Sequence, residues 1–322
     1  MTRLEASPAP PAAPAPDLGR ALDAALAGLD AAGERLRAWS LVVTVFGDAA
    51  AHRGGALRLA SLQTITGRLG VAPGALRTAM SRLARDGWLA RERRGRASYY
   101  RLTDDKRAEL AAATARIYAA GPPEWDGGWT LALAAPGAPR GARAEALRAL
   151  GYGRAAPGLW LRPGARRDAG EDELVAAALG PGASVLRAPA DGAEIAPALI
   201  AAAWPPAPAA ARFTAMTERA APLFAALEAG VPTPPLEAVA ARALLLHLWR
   251  RAALAAPDLP ASLRPPDWPG ERARALMRAA YWRLAPASET WLDGCEGARG
   301  GRLPPADPAF SRRFGGPPPP PA

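Results

Sequence analysis

The chain has 322 residues, a formal net charge of +10 and one cysteine, Cys295, so two or three domains are expected and an intrachain disulfide framework is excluded. Only two histidines accompany that thiol, which excludes a His/Cys metal cluster, and no cofactor is expected. The N-terminus MTRLEASPAPPAAPAPD lacks the apolar core of a secretory signal, and no long apolar run is free of Pro or charge, so a cytoplasmic chain with no membrane partner is expected.

In chain order, residues 1–34 read as low complexity, Ala/Pro-rich to residue 17 and with a short helix within 18–33. Residues 35–50, RLRAWSLVVTVFGDAA, predict an apolar helix, although the VVTV run also suits a strand. HRGG at 52–55 breaks the chain, and LRLA at 57–60 fits a very short strand. A helix over 61–69 follows, with Ser61 as N-cap and Leu62, Ile65 and Leu69 on one face. Gly70 ends it, and Pro73 opens a second helix that runs to residue 86 before Gly87. Strands over 88–93 and 96–102 turn around Arg94 and Gly95, and Thr103 caps a helix over 104–119. GPP at 121–123 marks a domain boundary.

From Trp125 the pattern changes. WTLALAAP (129–136) alternates as a strand does, 141–153 reads as a helix, 158–163 as a strand, 171–179 as a helix and 184–190 as a strand. That β-α-β-α-β order predicts a small ferredoxin-like layer. After residue 205 the chain is helical over 207–229, 235–255 and 270–293, with Pro-rich turns between. The expected class is α+β multidomain: a winged helix-turn-helix over 35–120, a central ferredoxin-like α/β domain over 121–205, a C-terminal helical domain over 206–295 and a disordered Pro/Gly-rich tail over 296–322.

Charge is not spread evenly. From Arg35 to Arg101 thirteen arginines face only Asp48, Asp86 and Glu92, while the other 255 residues balance at 27 basic and 27 acidic. A local positive field attracts a polyanion. On a helix over 73–86, Leu76, Ala79, Met80 and Leu83 form an apolar face, and Arg77, Thr78, Ser81, Arg82 and Arg85 fall opposite. Arginine bonds a guanine edge with two parallel hydrogen bonds, and hydroxyls reach bases or phosphates. The hairpin then reads as a wing, with Arg91, Arg93, Arg94 and Arg96 near its tip, placed to straddle a backbone. On the return strand Tyr100 and Leu102 face inward, and Tyr99 and Arg101 outward. Tyr99 is counted with the DNA-facing set, although packing is the commoner role of such a ring. Double-stranded DNA is the expected partner.

Groups for catalysis are scarce. There is no GxxxxGK[ST] loop and no GxSxG elbow, and residues 131–144 contain no Asp or Glu, which weighs against a metal-dependent nuclease on the ferredoxin-like layer. No catalytic residue is expected and the chain does not read as an enzyme. The competing class is an acyl-CoA-acting enzyme or nuclease built on the central and C-terminal domains.

Three stretches together resemble one family. SLVVTVFGDAAAHRGG (40–55) with LRTAMSRLARDGWLARERRGRASYYRLT (76–103), then WTLALAAP, LRALGYG and GLWLRP within 129–163, then LLLHLWRRAALAAPDLPASLRPPDWPGERARAL (244–276) resemble the PaaX family of bacterial transcriptional repressors. The resemblance spans roughly residues 35–293. It implies a homodimer whose winged-helix heads bind a palindromic operator, repression of an aromatic-acid degradation operon, and release by an aryl-CoA thioester such as phenylacetyl-CoA. Within the run LLLHLWRR, His247 fits a core histidine. With Arg250 and Arg251 it also fits a contact to an anionic acyl-CoA effector, since guanidinium groups pair with phosphates.

Overall fold

Helical structure begins at residue 18, inside the stretch whose composition reads as low complexity. The protein is seen here as a computed structural model that describes residues 17–134, 141–164, 169–188, 195–297 and 301–318. Asp17 caps helix α1 (Leu18–Ala31) by accepting the Arg20 N–H at 2.8 Å, and Leu18, Leu22, Ala25 and Leu29 bury one face. The low-complexity expectation for 1–34 is therefore corrected from residue 18 on; residues 1–16 lie outside the described residues.

The VVTV run is helical. Helix α2 (Ala38–Val45) buries Leu41, Val42, Thr44 and Val45, and it continues into a π-helical turn at Phe46–Ala50. Burial of the apolar side chains outweighs their strand propensity. Strand β1 (Ala56–Arg58), helices α3 (Leu59–Arg68) and α4 (Pro73–Arg85), and strands β2 (Leu89–Arg94) and β3 (Ala97–Leu102) follow. The sheet order is β1-β3-β2, all antiparallel, with Leu57 and Arg91 flanking Tyr100. Helix α3 starts at Leu59, two residues before Ser61, with Arg58 in the N-cap position, so Ser61 lies inside it and is not its cap. The hairpin tip is Gly95–Arg96, one residue later than its sequence implies, because Arg94 pairs with Ala97. Gly95 has φ +56° and Arg96 does not take a positive φ, the pattern of a two-residue type II′ turn.

The single helix expected over 104–119 is two, α5 (Asp104–Glu109) and α6 (Ala111–Ile117), broken at Leu110. Thr103 takes the N-cap position of α5, as expected, but its side chain gives no capping bond. Its hydroxyl instead donates to the Gly87 carbonyl at 2.8 Å and ties the end of the hairpin to the end of α4.

The central layer is built from β4 (Trp129–Leu133), α7 (Ala142–Ala149), β5 (Gly153–Ala156), β6 (Leu159–Pro163), α8 (Ala169–Leu179) and β7 (Ser184–Ala188). Its order is β5-β6-β4-β7 and every neighbouring pair is antiparallel. Strand β5 falls where a helix end was expected, since the helix stops at Ala149. Residues 135–140, the rest of the WTLALAAP strand, and 189–190 lie outside the described residues. Tyr152, Trp160 and Val175 pack on one side of the sheet, and Trp129, Ala155 and Leu161 on the other, against α9 (Pro197–Ala203) and Trp204.

Gly153 is where β5 meets α9. A Cβ there would sit 2.5 Å from the Trp204 ring and 2.6 Å from the Ala203 carbonyl oxygen. Gly153→Ala therefore costs about 1–3 kcal/mol of overpacking, read as a lower midpoint in urea unfolding; an unchanged midpoint would refute the close approach.

Helices α10 (Pro206–Glu228), α11 (Pro235–Ala255) and α12 (Pro269–Asp293) form the C-terminal body, with α1 laid along α10. Helix α11 is buried on nearly every side because α2, α3 and α6 of the N-terminal unit cover the face that α10 and α12 leave open. One continuous apolar core thus runs from α4 to α12. The tail is also part of it. Residues 310–315 make a short 3₁₀-like segment kinked at Arg313 and Phe314, which leave helical geometry and are both buried. Phe314 takes φ +53°, rare for a side chain of this size; its N–H bonds the Tyr118 carbonyl at 2.8 Å, and its ring packs on Trp249 and Tyr281. The expectation of disorder over 296–322 is corrected for 296–297 and 301–318; residues 298–300 and 319–322 lie outside the described residues. No described helix is long and apolar enough to cross a membrane.

Candidate nucleic-acid interface

Helix α4 is held by its apolar face. Leu76, Ala79, Met80 and Leu83 are buried, so the helix cannot rotate without exposing them. That fixes Arg77, Thr78, Ser81, Arg82 and Arg85 on the exposed face. Thr78 donates to the Gly74 carbonyl at 3.1 Å, which sets its side chain against the helix. Arg82 and Arg85 share Asp86, each at 3.4 Å, in pairs open to solvent and therefore weak. Arg77 has no ion-pair partner among the described residues.

The β2–β3 hairpin is equally open. Arg93, Arg94 and Arg96 are exposed. Arg94 pairs with Glu92 at 2.6 Å, Arg93 donates to the Gly95 carbonyl at 3.3 Å, and Arg96 has no ion-pair partner among the described residues. Arg91 is more tied: it donates to the Ser98 hydroxyl at 2.9 Å and lies 5.9 Å from the Tyr100 ring centre. Six cationic tips, those of Arg77, Arg82, Arg85, Arg93, Arg94 and Arg96, therefore stand on helix α4 and the tip of the β2–β3 hairpin.

Tyr99 does not join them. Strand alternation sets it opposite Tyr100, but the segment around Glu296 covers that face. The Tyr99 hydroxyl donates to the Glu296 carboxylate at 3.0 Å, and Tyr99 is removed from the DNA-facing set.

Part of the positive excess is structural. Arg53 pairs with Glu289 at 2.9 Å and with Asp293, Arg58 pairs with Glu296, and Arg68 holds Glu237 and Asp23, each at 2.8 Å. Acids from outside the N-terminal unit thus neutralise three of its arginines. The exposed positive excess that remains lies on α4 and the β2–β3 hairpin, where Asp86 and Glu92 offset only part of it.

The trio His247, Arg250 and Arg251, expected at an effector contact, is engaged within the fold. His247 is buried and its Nδ1 meets the Thr44 hydroxyl at 3.3 Å. Arg250 donates to the Thr44 hydroxyl at 2.7 Å and to the Ser40 carbonyl at 2.8 Å, and Arg251 reaches Glu34 at 3.9 Å. His247 and Arg250 bond α11 to α2, Arg251 reaches the segment before α2, and none of the three lines the cavities described at the junctions. Burial, and then Arg250 and Arg251, push the His247 ring down to about 3. The folded ring is therefore neutral, while the unfolded ring takes up a proton below about 6.5. Stability due to this group is full above that value and falls as pH drops, by about 2 kcal/mol at pH 5. Urea unfolding at pH 7 and pH 5 checks it: His247→Gln should lose that share of the difference, and an undiminished difference would contradict it.

A buried charge network lies beneath the head. Asp48, in the π-turn, is 2% exposed, and Arg242 of α11 is fully buried. The Arg242 Nε lies 2.9 Å from Asp48 Oδ2, and Arg313 of the tail donates to Asp48 Oδ1 at 2.8 Å. Tyr118 and Tyr281 each donate to Oδ1 at 2.9 Å; burial pushes both phenols up, so they stay protonated. Burial opposes the Asp48 charge, but Arg242 and Arg313 overcome it and hold the carboxyl below its ordinary range. Glu289 extends the network to Arg242 at 2.8 Å and to His52 at 3.2 Å. Sequence reading missed every one of these residues. The available signal was a lone charge in an apolar run, as in VFGDAA for Asp48 and AVAARALLL for Arg242.

The site thus combines two helices across a tight turn, a cationic outer face on the second, a basic hairpin beside it and a helical body bonded to both. The PaaX-like protein family matches residues 37–106, and the PaaX-like protein C-terminal domain matches residues 204–294. The transcriptional repressor PaaX of Escherichia coli (strain K12) is 32% identical over 284 residues, 86% of this chain and 90% of that protein. An uncharacterized protein from Mycobacterium tuberculosis of known structure is similar in fold, with TM-score 0.51 at 22% identity over 80% of this chain and 99% of that one. The chain belongs to the PaaX family, a family of transcriptional regulators rather than enzymes.

Proposed function

We propose that the chain is a DNA-binding transcriptional repressor that lays α4 in the major groove and sets the β2–β3 wing on the flanking backbone. In this reading residues 35–120 form a winged helix-turn-helix domain, 121–205 a ferredoxin-like domain and 206–295 a helical domain. The βαββαβ order with sheet sequence β5-β6-β4-β7 supports the second of these. The carrying observation is the set of exposed cations on α4 and the wing, left over once Arg53, Arg58 and Arg68 are paired. Arg77 would read a base edge, and Arg93, Arg94 and Arg96 would hold phosphates.

The chain would act in the cytoplasm as a homodimer on a palindromic operator. Half-sites on one face of the duplex lie about 34–36 Å apart, one helical turn. An acyl-CoA effector, phenylacetyl-CoA or a related aryl-CoA, would lower operator affinity by favouring a dimer with another spacing. Control of aromatic-acid catabolism follows from the family. Selecting bound fragments from genomic DNA tests the reading: it predicts enrichment of inverted half-sites at one-turn spacing, and fragments without such a pattern would refute it.

A further inference from the structure

The three-stranded sheet of the head is gripped along one edge. Strand β1 is that edge, β3 is central, and β2 is the outer strand that leads into the hairpin tip. Just before β1, Arg53 pairs with Glu289 and Asp293 at the end of α12. At the end of β1, Arg58 pairs with one carboxylate oxygen of Glu296. The other Glu296 oxygen reaches past β1 to the central strand, where it accepts the Tyr99 hydroxyl at 3.0 Å. Arg58 and Tyr99 face each other across the β1–β3 ladder. On its other side Tyr99 faces Glu92 of β2, which pairs with Arg94 at 2.6 Å. One carboxylate of the body thus joins two strands of the head sheet.

Glu296 is itself held. It pairs with Arg302 in an antiparallel bridge, flanked by the Gly297 N–H on the Gly301 carbonyl and the Leu303 N–H on the Cys295 carbonyl, both at 2.9 Å. That small loop follows directly on α12, which ends at Asp293. The side chains of Arg58 and Glu296 are 37% and 50% exposed, so their pair adds little to stability. Tyr99 is 6% exposed, and a hydroxyl bonded to a carboxylate is strongly directional. The contact therefore fixes placement more than folding energy.

We propose that Glu296 is a positioning residue for the hairpin: through Tyr99 and Arg58 it sets the angle at which the body presents Arg93, Arg94 and Arg96 to a DNA backbone. The proposal rests on the repressor reading for its consequence, whereas the brace itself needs no DNA. Tyr100 and Leu102 hold the root of the hairpin from the inner face, and Glu296 holds it from the outer one. Arg96 lies about 10 Å along the strand from Tyr99. A tilt at Tyr99 therefore displaces the cationic tips, while α4 stays anchored by Leu76, Ala79, Met80 and Leu83.

Amide hydrogen exchange on the full chain without DNA reads the brace. Glu296→Ala and Tyr99→Phe should each speed exchange across residues 89–102 by about fivefold or more and leave the middle of α11 unchanged. Glu296→Gln keeps an oxygen that accepts from Tyr99 and should stay within about twofold of the parent chain. Anisotropy on a random duplex reads the consequence. Arg96→Ala should weaken binding about tenfold in the parent chain and less than about threefold in the Glu296→Ala chain, where the tip is no longer held. Tyr99→Phe carries both measurements if Glu296→Ala does not fold. Unchanged exchange in these variants, or an equal tenfold loss from Arg96→Ala in both backgrounds, would overturn the positioning role. Faster exchange together with an Arg96→Ala change that is silent in the parent would leave the brace standing and remove the hairpin from the DNA contacts.

Discussion

Asp48→Ala lowers the unfolding free energy by about 3–5 kcal/mol, because it strands buried guanidinium groups without their carboxylate. Arg242 is fully buried and Arg313 nearly so, and both meet Asp48 within 3 Å. Water cannot reach in to compensate, and Glu289 can satisfy only the Arg242 side of the network. The two phenols lose their acceptor as well. The effect is not local, since Asp48 belongs to the head, Arg242 to the body and Arg313 to the tail. Loosening all three should also weaken DNA binding by spreading head orientations. Urea unfolding followed by tryptophan fluorescence reads the loss directly. A change below about 1 kcal/mol would mean that the network does not hold the junction. Asp48→Asn keeps the acceptor but not the charge, and should fall between the two proteins.

Arg77→Ala should cost about 1–3 kcal/mol on the preferred sequence and relax discrimination at one base pair, as expected of a side chain that reads a base edge. Its position is set by Leu76 and Met80, which anchor the helix, and no acid among the described residues pairs with it. Arg96→Ala at the hairpin tip should weaken preferred and random duplexes alike and reduce the salt dependence by about one ion. Anisotropy titrations on the two duplexes separate the roles. An equal loss on both for Arg77→Ala would move that residue to the phosphate contacts.

The exposed cationic face of α4 and the hairpin was legible because two physical rules act there without interference. Period 3.6 separates Leu76, Ala79, Met80 and Leu83 from Arg77, Ser81 and Arg85, and a Gly-centred tip marks the hairpin. Legibility failed where distant segments decide. Tyr99 lies on the face that alternation gives it, yet a segment almost two hundred residues later covers that face. His247 looked available for an anion, but α2 brings Thr44 to it. Arg313 and Phe314 sit in a tail rich in Gly and Pro, and only the pocket formed by Tyr118, Trp249 and Tyr281 makes that tail ordered. Strand β5 was hidden because GRAA offers no alternation, and its place is fixed by pairing with β6. Local pattern shows what an element is; it does not show which remote segment covers it.

The most direct measurement is the affinity of the full chain for duplex DNA across a range of salt. Six cationic tips on α4 and the wing, each neutralising one phosphate, predict that log affinity falls against log salt with a slope near −5. A response with no salt dependence would contradict the claim that this face reads duplex DNA.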